Sequence, residues 1–110
     1  MEANPDRPAT GIAAALQWRF TAAEGALYPL AITDPERYER AVTLVGLVFR
    51  QLRDDCASID ELVSRLPGAE HVAQLAAAQG VTLAGLDPAA IADAAAALRY
   101  RELQSGPLTG

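Results

Sequence analysis

Between Asp34 and Cys56 the chain reads DPERYERAVTLVGLVFRQLRDDC, and this stretch restricts the fold more than any other. Asp34 is a natural N-cap, Pro35 suits the first helical position, and Glu36 favours the positive end of the helix dipole. The spacing predicts a helix over 34–55. At 100° per residue, Tyr38, Ala41, Val42, Val45, Val48, Phe49, Leu52 and Cys56 fall within an arc of about 120°, the predicted core face. Glu39, Thr43, Gly46, Arg50 and Arg53 make the opposite stripe. Leu44 and Leu47 lie outside the core arc beside Arg40 and Gln51, so apolar residues occupy more than half the circumference. Short neighbours are not expected to cover all of it.

Three shorter helices follow in the pattern. Ser58 and Glu61 form an S-x-x-E capping box, and Ile59, Leu62, Val63 and Leu66 repeat at helical spacing before Pro67-Gly68. That defines a helix over 58–66. A second covers 69–79, with Val72, Leu75 and Ala76 inward and Gly80 as its stop. After a short extended connection, Asp87-Pro88 opens a helix over 87–104, with Ile91, Ala94, Ala95 and Leu98 on one face.

The segment LQWRFTAAEGALYPLAI admits two readings. As a helix it places Ile12, Leu16, Phe20, Ala23 and Leu27 on one face and Trp18 on the other. As a β-hairpin over 15–32, with Gly25 closing a three-residue loop, it pairs Phe20 with Tyr28, Trp18 with Leu30 and Leu16 with Ile32. The hairpin register seats every large side chain on one face, and it is the expectation adopted. The predicted fold class is therefore α+β and mainly helical: an N-terminal hairpin, the long helix, and three shorter helices. A single compact domain over 10–104 lies between an arm at 1–9 and a tail at 105–110.

Charge and cysteine usage narrow the setting. A formal net charge of −5 opposes non-specific binding to nucleic acid or anionic membrane. All nine basic residues are arginine. The single cysteine, Cys56, cannot form an internal disulfide, which fits a reducing compartment. No secretory pattern opens the chain, and its apolar runs are short, so a cytoplasmic protein is expected.

Chemistry finds little to work with. His71 is the only histidine and sits at the rim of its helix's apolar stripe. Cys56 follows Asp54-Asp55, where negative charge disfavours a thiolate. Asp54, Asp55 and Asp60 cluster near a helix end without the D-x-D-x-D-G pattern of a calcium loop. No glycine-rich phosphate loop is present. No catalytic, cofactor or metal residue is expected.

The expectation is a non-enzymatic interaction or accessory module that self-associates, most simply as a homodimer. Two surfaces are candidates: the hairpin edge with Leu16, Trp18, Phe20 and Tyr28, and a ridge of Leu44 and Leu47. The alternative is a winged-helix-type DNA-binding regulator, which requires Arg50, Arg53, Arg99 and Arg101 to converge. A third reading is a small-molecule pocket between hairpin and long helix lined by Trp18 and Tyr28.

Overall fold

The computed structural model describes residues 7–105, with side chains from Ala14 onward. Six helical segments follow in order: α1 (Arg7–Leu27), α2 (Leu30–Thr33), α3 (Pro35–Asp55), α4 (Ile59–Ser64), α5 (Ala69–Gln79) and α6 (Pro88–Ser105). The local signals act where the sequence places them. The Asp34 side chain accepts from the Arg37 backbone N–H at 3.2 Å, capping α3. Ser58 Oγ accepts from the Glu61 N–H at 3.2 Å, while the Glu61 carboxylate accepts from Ala57 N–H, one residue before the reciprocal capping position. Gly80 ends α5 in the left-handed conformation, φ 71°.

The organising element is α6, against which α1, α3, α4 and α5 all pack. Ala90, Ile91, Ala92, Ala94, Ala95, Ala96, Ala97 and Tyr100 are all buried, so burial runs around the helix and is not confined to one face. A helix that is apolar all round belongs inside. Alanine makes this geometry reachable, because small side chains let several helix axes approach closely. Phe20 of α1 supplies the bulk, with its ring 5.6 Å from that of Tyr100.

The expected hairpin over 15–32 is overturned: the chain is all-α among the described residues, and α1 and α2 take its place. Leu16, Phe20, Ala23 and Leu27 are buried along one face of α1, the stripe of the helical reading. Trp18 is 78% exposed and Ile32 87% exposed, so the pairing of large residues that favoured the hairpin never needed a buried face. Alanine-rich α6 rewards a helix that brings Ala23 close, which explains why a stripe built partly of alanine wins. Gly25 lies within α1, and Pro29 precedes α2 as its N-cap, where it has no helical N–H to lose.

The core face of α3 is also displaced. Its buried residues are Ala41, Leu44, Val48 and Leu52, a stripe rotated by about 60° from the predicted arc at 100° per residue. Leu44, expected outside, is 0% exposed, whereas Val42, expected inside, is 47% exposed. The predicted arc took in apolar side chains without regard to neighbours; the buried stripe is the part that packing, with α6 foremost, encloses. The arm at 1–9 and the tail at 105–110 lie mostly outside the described residues; α1 takes in 7–9 and α6 ends at Ser105.

The segment between α5 and α6 is fastened to α3 by arginines. Arg40 Nη1 donates to the carbonyls of Thr82 at 2.7 Å and Ala84 at 3.1 Å, while its other nitrogens hold Glu36. Gly85, at φ 77°, lets the Arg37 side chain pass so closely that a Cβ there would stand 2.6 Å from the guanidinium carbon.

Gly25 separates the two readings of this segment experimentally. Its φ is not positive, and a Cβ there meets nothing within 4 Å, so Gly25→Ala is expected to stabilise the protein by about 0.4–1 kcal/mol. In a hairpin loop requiring a left-handed glycine, the same change would destabilise it. Chemical denaturation of the two proteins decides the sign.

Candidate functional site

α1 and α3 both lie on α6, and between them runs an apolar furrow of about 190 Å³. Its walls are Leu27 and Tyr28 from the end of α1 and Tyr38, Ala41, Val42 and Val45 from α3, with Leu98 of α6 as the floor. Among the described residues no charged side chain lines it. The furrow follows from the rotation of α3: Ala41, Leu44, Val48 and Leu52 face inward, which leaves Val42 exposed and Tyr38, Val45 and Phe49 half-buried at the edge of the core. These four recur at alternating four- and three-residue steps, the spacing of a helix-pairing seam.

Near Tyr28, Glu24 of α1 accepts from Arg101 of α6. Burial, and then the Glu24 carboxylate, push the Tyr28 phenol above its ordinary pKa, so it stands as a neutral hydroxyl at the rim. Farther along α3, outside the furrow's lining, the Arg53 guanidinium lies 5.8 Å over the Phe49 ring and 3.6 Å from the Glu102 carboxylate.

The expected interface residues separate into two sets. Leu16, Phe20 and Leu44 are in the core, and Leu47 is half-buried against it. Trp18 and Tyr28 are exposed but do not share a surface: Tyr28 borders the furrow, while Trp18 lies over the cleft between α1 and the start of α6, near Asp87 and Asp93. The expected small-molecule pocket thus loses Trp18 as a lining residue and keeps Tyr28. Val42 and Val45, which sequence reasoning assigned to the core, are furrow residues. Their signal was the apolar excess on α3, read correctly in amount and incorrectly in direction.

The arginines that a DNA-binding reading needs are engaged elsewhere. Arg99 is buried and donates through Nε and Nη2 to the Cys56 carbonyl, with Nη1 2.6 Å from Glu102. Arg53 faces Glu102 and Arg101 faces Glu24, so of the four only Arg50 has no ion-pair partner among the described residues. Arg99 also borders a wider cleft of about 540 Å³ with Ser58, Asp60 and Glu102. Its cation and the Glu102 anion are turned to one another, which makes the place a joint between α3, α4 and α6.

The residues weighed for chemistry stand apart. His71 is exposed, with Nε2 2.6 Å from Gln51 Oε1. Cys56 is buried, and that burial pushes its thiol above the ordinary range. Among the described residues no three His, Cys, Asp or Glu side chains are grouped to hold a metal ion, and no helix is long and apolar enough to cross a membrane. Comparison of the chain with protein-family models, curated proteins and solved structures found no match to any of them.

The joint at Arg99 makes a direct prediction. Arg99→Leu leaves the Cys56 carbonyl buried without its donors and should cost about 1–3 kcal/mol in urea denaturation, with native helicity unchanged. Arg99→Lys should recover only part, since an ammonium cannot reproduce the two-nitrogen fork. A loss within experimental error for Arg99→Leu would show that α6 does not hold the end of α3.

Proposed function

We propose that this protein is a non-enzymatic interaction module, acting as an accessory or regulatory subunit, that self-associates through the furrow between α1 and α3. One observation carries the reading. The outer stripe of α3 keeps Val42 and the neighbouring Tyr28 each 47% exposed along an apolar, uncharged furrow, beside a core stripe on the same helix that is fully covered. A single exposed valine is ordinary on a protein surface; a row of apolar side chains at helix-pairing spacing is what a second helix fits.

A second copy supplies such a helix with no further component. A two-fold arrangement presents the same patch on both sides, so one seam serves twice. The hairpin edge has no part in this reading, and neither does Leu44, which is enclosed by its own chain.

Light scattering after size exclusion, on the full chain at high micromolar concentration, tests the proposal. Val42→Glu should give a monomer with unchanged helicity, because the substituted side chain has solvent to enter. Leu44→Glu should instead unfold the chain, since it places a charge at a position with no exposure. A wild-type chain that is strictly monomeric under these conditions overturns self-association.

A further inference from the structure

Resting on that self-association, we propose that α3 meets α3 of the second copy in an antiparallel crossing centred near Gly46, with Glu39 of each copy against Arg50 of the other. Gly46 lies on the outward side of α3, next to Val42 and Val45, and an ideal Cβ placed on it meets nothing within 4 Å. The chain's own fold therefore gives no steric reason for a glycine there, while glycine inside a helix is destabilising relative to alanine. What the missing side chain provides is an indentation in the middle of the helix, where a second backbone can come close.

Charge selects the direction of the crossing. Glu39 and Arg50 are both exposed, lie on opposite sides of Gly46 along α3, and have no ion-pair partner among the described residues. The other cations of α3 are engaged within their own chain: Arg37 with Asp34, Arg40 with Glu36, and Arg53 with Glu102. An antiparallel crossing brings each Glu39 to the other copy's Arg50 and repeats the contact by symmetry. A parallel crossing stacks Glu39 on Glu39 and Arg50 on Arg50, where like charges repel. The same antiparallel register places Val42 of each copy alongside Phe49 of the other, continuing the apolar seam past the furrow.

Sedimentation equilibrium of the full chain and three charge variants provides the test. Glu39→Arg and Arg50→Glu should each weaken the dimer about tenfold, and the variant carrying both changes should recover it to within about threefold. Gly46→Gln should weaken the dimer while raising the thermal stability of the monomer, which separates a blocked approach from a damaged fold. A dimer unmoved by the single charge reversals, or not recovered by the double one, overturns the antiparallel crossing and leaves self-association standing. A chain monomeric in every form overturns both.

Discussion

A helix can be surrounded only if its side chains leave room for its neighbours, and α6 meets that condition with alanine. Ala90, Ala92, Ala94, Ala95, Ala96 and Ala97 give it a nearly smooth cylinder against which α1, α3, α4 and α5 all lie. Larger residues at these positions would force the outer helices apart. The arrangement also explains why the bulky core side chains sit mainly on the outer helices: Phe20, Leu44, Val48, Leu62 and Val72 reach inward over small neighbours. The one charged residue buried on α6, Arg99, has its cation matched by the Cys56 carbonyl and Glu102, which offsets the cost of taking it out of water.

Much of this architecture is legible in local signals. Asp34-Pro35, Ser58 with Glu61, Gly80 and Asp87-Pro88 set helix boundaries that the fold keeps to within a residue or two. These signals work because they act through backbone N–H and C=O groups only a few residues away. The direction in which each helix faces depends on neighbours distant in the chain, and there the sequence is a weaker guide. For residues 15–32 the hairpin register has the stronger pattern because it places Leu16, Trp18, Phe20, Tyr28, Leu30 and Ile32 on one face, whereas the helical stripe is built partly of alanine. Trp18 is exposed, and Ala23 is the residue at the α1–α6 contact side. Pattern alone also misdirects α3, where Val42 and Leu44 exchange the roles that amphipathic spacing assigned to them. In α6 no single face exists to be found, because buried residues run around the helix between Ala90 and Tyr100.

The two stripes of α3 divide its work. The stripe of Ala41, Leu44, Val48 and Leu52 belongs to the monomer, in which α3 packs on α6, α2 and α5. Tyr38, Val42 and Val45 of the neighbouring stripe border the furrow, where α1 and α3 rest on α6 without closing over it. α2 is too short to fill that gap: it is one turn long, packs against α3, and leaves Ile32 in solvent. The proposed interaction site is thus a product of the fold's own economy. One long helix carries more apolar surface than the short elements around it can cover.

That division bears on how the proposed dimer relates to stability. Alanine buries little apolar surface per residue, so a core centred on α6 gains less from each position than one built of leucine or isoleucine. A chain of 110 residues in this regime has a modest margin over the conformational entropy of folding. Association through the outer stripe of α3 requires the folded arrangement of α1, α3 and α6, because the furrow exists only when all three are in place. Binding energy available only to the folded state adds to its stability in proportion to the logarithm of partner concentration. In the proposed dimer the outer stripe therefore couples assembly to folding, while the closed stripe of Ala41, Leu44, Val48 and Leu52 belongs to the monomer's own core.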